Sequence, residues 1–386
     1  MLKIFAILHA RRSLVEFLYF AVVNTLVIAL FTTFLSTRSY ANEEALHSSG
    51  VILQYHHVAD NTPAITSTSP AAFKAHLNYL SSEKIAVWPL EKLIKALKQG
   101  ESLPGKIVSL TFDDAYDDIY HNAWPLLRAR NWPFTLFIAS DLVGKKGYLT
   151  WDQIREMNQG GMSIANHTQT HTHLVRKLDT EGQQKWLHRV KKEILNAELA
   201  ISDQIPTLKP LRMKFIAFPY GEYNRDLLNL IASLGYVGLG QQSGAVDKNA
   251  TLLVLPRYPL SGIYQDLSTF KIKVWTQAMP LLSTSFIDPV LGKGNKRPGL
   301  KMKFSEKDYQ FEQLKCYGPG DGMQVEKIPN ENTYIVRSTS DLPVGRSRYN
   351  CTMPTSTSHK EGEVDFYWFS QLWIRKNSDG TWVSEH

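Results

Sequence analysis

A chain of 386 residues, 43% hydrophobic and 20% charged, can bury a sizeable core and is long enough for two domains. Its formal charge of +7 is mild for its length, and no Lys/Arg run interleaved with aromatics occurs, so nucleic acid is excluded as the expected partner. The only cysteines, Cys316 and Cys351, are too few for a disulfide-built scaffold.

The amino terminus reads as an address. Lys3, Arg11 and Arg12 precede the apolar stretch Phe17 to Leu35, and Ser39-Tyr40-Ala41 has the small-x-small form of a cleavage site. Residues 1–41 are therefore expected to act as a signal peptide, or to stay as a membrane anchor, since the apolar run is long but diluted by Asn24, Thr25, Thr32 and Thr33. Either way the basic flank keeps the amino terminus inside and exports the rest to the periplasm, the cell envelope or the medium. In such an oxidising compartment Cys316 and Cys351 are expected to form one disulfide, two free buried thiols being the alternative.

From residue 50 to 260 strands and helices alternate. Val51 to Tyr55 is an apolar strand ending in His56-His57. Ser69-Pro70 opens a helix with Phe73, Leu77 and Leu80 on its apolar face, and Pro89-Leu90-Glu91 opens another that stops at Gly100. Ile107, Val108 and Leu110 carry a strand to the adjacent acids Asp113 and Asp114. A helix through Tyr120, Trp124 and Leu127 follows, then a strand Phe134 to Ala139, a short helix Trp151 to Met157 and a strand Met162 to Asn166 that runs into His167. A long helix, Asp179 to Asp203, precedes a strand Lys214 to Phe218 closed by Pro219-Tyr220-Gly221. Asn224 caps a helix ending at Gly235, and short strands Tyr236 to Leu239 and Leu252 to Leu255 complete the series. This alternation predicts an α/β fold with parallel strands and outer helices, an open sheet or a barrel.

Beyond Ser261 helical periods fade. Strand-like runs, Phe270 to Trp275, Leu300 to Phe304, Phe311 to Cys316, Thr333 to Arg337 and Asp365 to Arg375, predict a smaller β-rich domain over 261–386. Tyr367, Trp368, Phe369, Trp373 and Trp382 form a dense aromatic cluster, read as core packing in preference to a stacking platform for sugars.

The chemistry-bearing residues fall at strand ends. Asp113 and Asp114 stand where a strand gives way to a loop, so one acid can hold a metal while the other moves a proton, helix capping being the plain alternative. His167 and His171, four apart directly after a strand, can meet one carboxylate in a His₂-Asp set with open positions. Arg257, after Leu255-Pro256, is placed at a strand end to keep a carboxylate ionised, or else makes an ordinary surface ion pair.

Together Thr111-Phe112-Asp113-Asp114, His167-Thr168-Gln169-Thr170-His171, Phe218-Pro219-Tyr220-Gly221 and the opening Tyr55-His56-His57 resemble the polysaccharide deacetylases of the NodB-homology group, carbohydrate esterase family 4, over residues 50–260. The resemblance is nearest to the poly-β-1,6-N-acetylglucosamine deacetylase branch. It implies a distorted (β/α) barrel of the NodB type that removes N-acetyl groups from an N-acetylglucosamine-containing polysaccharide, using one divalent metal. Asp113 resembles the catalytic base, and Asp114, His167 and His171 resemble the metal ligands. Ala217 stands where many members carry an arginine, and no late Leu-x-His motif occurs between Leu252 and Leu260. In the nearest branch a later arginine steadies the base, which fits Arg257, and the opening strand's histidine is the general acid, which fits His56 in preference to His57. The Tyr220 amide is the expected oxyanion helper, and His173 is expected on the substrate side.

The ligand set suits zinc first, with cobalt, nickel or iron as alternatives. The polymer is left open among a β-1,6-linked chain, a chitin-like β-1,4 chain and peptidoglycan glycan, and no protein partner is inferred. Two other classes compete: a carbohydrate-binding protein that has lost catalysis, and a glycoside hydrolase using Asp113 with a second acid.

Overall fold

Apolar runs bounded by helices pair as one all-parallel sheet in the computed structural model, which describes residues 49–101, 103–206, 212–285, 288–305 and 309–384. The expected leader, 1–41, lies outside the described residues, among which no helix is long and apolar enough to cross a membrane. The strands are β1 (Gly50–Tyr55), β2 (Ala86–Val87), β3 (Ile107–Phe112), β4 (Thr135–Ile138), β5 (Ser163–Asn166), β6 (Lys214–Ala217), β7 (Tyr236–Leu239) and β8 (Tyr258–Pro259). Their order is β8-β1-β3-β4-β5-β6-β7, with β2 beside β3. This is the distorted (β/α) barrel that the alternation and the resemblance imply.

Both faces of β1 and β3 are covered, which is why they read as continuous apolar runs rather than as alternations. Leu53, Tyr55, Leu110 and Phe112 point outward into a cluster with Phe73, Leu77 and Leu80 of α1 (Pro70–Ser82). The other face of the same strands carries Gln54, Thr111 and the strand-end Asp113, so the period of two delivers polar groups to the barrel interior. Ser69 caps α1 by accepting from the Ala72 amide, and α2 (Leu90–Gln99) ends at Gly100 in the left-handed region, as the sequence predicts.

Two expected strands are not formed. Leu252 to Leu255 makes a single bridge, Leu255 to Leu239, and the chain then crosses to β1 through Tyr258, so irregular backbone closes the barrel. A Cβ on Gly238 would lie 2.2 Å from the Leu253 carbonyl, so the crossing requires glycine there. Phe270 to Trp275 belongs to a helix, Leu267–Trp275, despite its strand-like alternation. Phe270 and Val274, one helical turn apart, are buried, whereas Ile272 faces solvent and the Lys273 amine turns inward to donate to the Pro259 and Tyr264 carbonyls.

The β-rich part forms two four-stranded sheets. One has the order β9 (Gln277–Ala278), β16 (Phe366–Arg375), β15 (Gly345–Pro354), β12 (Lys315–Tyr317); the other runs β10 (Leu281–Thr284), β11 (Leu300–Phe304), β14 (Thr333–Ser338), β13 (Met323–Lys327). Phe311–Gln313, expected in a strand, is a 3₁₀ turn leading into β12. Cys316 and Cys351, directly opposite on β12 and β15, are joined by a disulfide. Trp373 is fully buried with Tyr349, and Tyr367 and Phe369 pack against the same cluster, which is the core reading of the aromatics. Leu372 and Ile374 of β16 bury their side chains in a cluster with Trp186, Val190 and Phe218, so the two parts share buried surface within one compact unit.

Candidate active site

All the site residues but Arg257 lie beyond the end of a strand. His56 follows β1, Asp113 and Asp114 follow β3, His167 follows β5, and Phe218 to Gly221 follow β6. All these strands are parallel, so the residues gather at one mouth, the carboxyl edge of the sheet. The turns there are sharp. Asp114, Ala115, Thr168, His171 and Tyr220 all have positive φ, five of the eight non-glycine residues in that state among the described residues. Such conformations cost about 1–3 kcal/mol each and persist where packing fixes them. Gly221 is also left-handed, and a Cβ there would meet the Gln241 side chain at 2.8 Å.

Asp113 is fully buried. Arg257 donates to both of its oxygens, Nη1 to Oδ1 at 2.7 Å and Nη2 to Oδ2 at 2.8 Å, and Gln54 Nε2 donates to Oδ2 at 2.7 Å. Burial alone would raise the carboxyl pKa. The guanidinium charge and the two-pronged hydrogen bond outweigh it and hold the group at about 2, ionised at any ordinary pH. Arg257 does not sit beyond a strand end as expected. It lies one residue before β8 and reaches the acid through the barrel interior, anchored by Nε to the Gly240 carbonyl and packed over Phe137. Its two-pronged grip needs the planar fork that lysine lacks.

Asp114 turns the other way. Its Oδ1 lies 3.2 Å from His167 Nε2 and 3.2 Å from His171 Nε2, and the three ligand atoms lie within 4.8 Å of one another. His167 Nδ1 lies 2.8 Å from the Ala217 carbonyl, an acceptor only, so the ring carries a proton on Nδ1 and turns Nε2 toward Asp114. Burial, and then the neighbouring His167, lower His171 to about 4 and keep it neutral. Asp114 Oδ1 is buried without a hydrogen-bond partner among the described residues. An orphaned carboxylate oxygen facing two imidazole nitrogens is what a divalent cation requires, and this donor set fits one.

His56 Nε2 is 3.8 Å from Asp113 Oδ2. Burial lowers its pKa against the pull of Asp114 and Asp113, so it rests neutral near pH 7. His57 points away, as the next residue along extended chain must. Its Nδ1 is 2.5 Å from Asp118 Oδ2, and its ring stacks on Tyr116 at 3.5 Å. Tyr220 touches His171 at 4.8 Å between ring centroids and stacks on His173 at 3.7 Å. His173 Nδ1 is 2.8 Å from Glu222 Oε2, so the imidazole is tied to a buried acid as well as lining the mouth.

Two residues at this mouth escaped the sequence reading. Gln54 is the one polar residue inside the apolar run of β1, two places before His56 and hence on its face, a signal that was available. Glu222 follows the Pro-Tyr-Gly turn, where an isolated acid ordinarily signals the next helix start.

Comparison with known proteins agrees with this geometry. The family model described as polysaccharide deacetylase matches residues 100–239, a stretch that includes Asp113, Asp114, His167, His171 and Tyr220. A poly-β-1,6-N-acetyl-D-glucosamine N-deacetylase of Staphylococcus aureus is 29% identical over 216 residues, 54% of this chain and 72% of that protein. Among solved structures, IcaB from Ammonifex degensii shares 21% identity and a TM-score of 0.51, over 59% of this chain and 97% of that one. A de-N-acetylase from Aggregatibacter actinomycetemcomitans shares 23% identity and a TM-score of 0.51, over 58% of this chain and 99% of that one. These two likenesses establish the fold.

Proposed function

We propose that the protein is an exported, metal-dependent hydrolase that removes N-acetyl groups from an N-acetylglucosamine-containing polysaccharide and releases acetate. The observation that carries this reading is the division of labour between neighbouring acids: Asp114 groups with two imidazole nitrogens, while Asp113 stands outside that group, held ionised by Arg257. In this reading Asp114, His167 and His171 hold one divalent ion, zinc first. Such an ion, when bound, polarises the amide carbonyl and makes a nearby water more acidic.

The chain's own groups carry the proton traffic. Asp113, kept as a carboxylate, takes the proton of the attacking water. The Tyr220 amide, presented by a left-handed turn, faces the carbonyl oxygen as negative charge develops there. His56 delivers a proton to the departing amine. Because burial keeps it neutral at rest, it gains that proton during the cycle, and Asp113, 3.8 Å away, is the neighbouring source. His173 lines the same mouth beside the substrate.

The basic and apolar composition of residues 1–41 supports export, and a leader or anchor belongs to this proposal. So does the division into a deacetylase domain, 50–260, and a β-rich accessory domain, 261–386. Acetate release from a β-1,6-linked N-acetylglucosamine polymer, chitin oligomers and peptidoglycan glycan, with reducing ends counted in parallel, is the test. Metal-dependent acetate from one polymer is expected. New reducing ends without acetate would mean a glycoside hydrolase, and binding without turnover a carbohydrate-binding protein.

A further inference from the structure

Glu222 is almost completely buried at the rim of the mouth, and the arrangement around it draws on both parts of the molecule. His173 meets its Oε2 at 2.8 Å. Its Oε1 has two guanidinium neighbours, Arg176 Nη2 at 3.6 Å and Arg346 Nη1 at 3.5 Å. Arg176 comes from the loop after His173, whereas Arg346 is the second residue of β15, paired opposite Ile374 of β16 in the β-rich part. The same Arg346 guanidinium sits over the Tyr220 ring, 5.3 Å from its centroid, and reaches the Tyr220 carbonyl at 3.5 Å. Tyr220 is thus bounded by the flat His173 ring, 9° from parallel, and by a cation, and both bounding groups are tied to one buried carboxylate.

The turn so enclosed is the one that most needs holding. Tyr220 adopts φ 59° and ψ 6°, a conformation a bulky residue keeps only when its surroundings fix it. Its ring abuts His171, and its amide is the oxyanion donor in the reading above. A displacement of that amide by about 1 Å is enough to cost most of a donor's worth in catalysis.

We propose that Arg346 is a positioning residue for the catalytic mouth: it reaches in from the β-rich part and, through Glu222 and the Tyr220 ring and carbonyl, fixes the Pro219-Tyr220-Gly221 turn. The catalytic consequence rests on the deacetylase reading, whereas the structural consequence does not. The β-rich part then contributes to the site itself, and deacetylase activity depends on it without its touching substrate.

The test compares wild type with R346A, R346M and R346K in the full chain. The side chain is about one third exposed, so these variants are expected to fold, as far-UV circular dichroism checks; should R346A not fold, R346M replaces it. Two quantities are read: the His173 Hε1 proton resonance, assigned with H173Q and displaced upfield by the stacked Tyr220 ring, and the acetate-release kinetics. Loss of the upfield displacement in R346A and R346M, with its recovery in R346K, is expected. With it kcat falls about tenfold while KM stays within about twofold, and R346K restores most of kcat. An unchanged His173 resonance in R346A overturns the proposal, as does a lost resonance shift with unchanged kcat, or a fall confined to KM. If wild type itself releases no acetate, the deacetylase reading fails alone, and the resonance still decides whether Arg346 holds the turn.

Discussion

Two buried carboxylate centres share one mouth and are held in opposite ways. At Asp113 a single arginine closes on both oxygens at 2.7 and 2.8 Å with Gln54 as a third donor, all inside the barrel. At Glu222 the charge is spread over a histidine at 2.8 Å and two arginines at 3.5 and 3.6 Å, both partly exposed. The first arrangement fixes one ionisation state in a buried setting, where an uncompensated charge would be very costly. The second fixes a shape, by pulling side chains from three segments onto one point. Catalytic consequences should therefore concentrate at the first centre and positional ones at the second.

That contrast can be broken by substitution. The largest effect is expected from D113N, which keeps the side chain's size and removes its proton-accepting charge; acetate release should fall by about 10³-fold or more with folding intact. Next, R257M strands the Asp113 carboxylate in the interior. Removing one partner of a buried pair costs about 3–5 kcal/mol, which urea denaturation would read as a lowered midpoint, and the double variant D113N/R257M should recover part of that loss. An R257M as stable as wild type would mean that Asp113 is not held by charge. The smallest effect is expected at the second centre. E222Q keeps a hydrogen-bonding partner for His173 while removing the charge facing Arg176 and Arg346, so kcat should drop by about tenfold or less. Equal losses in D113N and E222Q would erase the distinction drawn between the two.

The first centre was far more legible in the sequence than the second. Asp113, Asp114 and His167 each stand just past an apolar run, so their place at strand ends could be read from the break in hydrophobicity. Arg257 was legible in role and not in route: the sequence suggests a guanidinium meant for a carboxylate, but irregular backbone replaces the strand expected at Leu252 to Leu255, and the side chain arrives from within the barrel. Glu222 and Arg346 are 124 positions apart and carry no local pattern, so only tertiary packing joins them. The helix at Leu267–Trp275 shows the same limit from the other side. Its alternation is strand-like, and burial of Phe270 and Val274 one helical turn apart overrides it.

The central claim is that Asp114, His167 and His171 hold a cation while the adjacent Asp113 does not. Isothermal titration of metal-stripped protein with zinc tests it directly, using wild type, D114A and D113N side by side. One ion per chain is predicted for wild type and for D113N, with D113N binding zinc yet releasing no acetate, and binding lost in D114A. Zinc retained by D114A, or lost in D113N with its fold intact, would contradict the account.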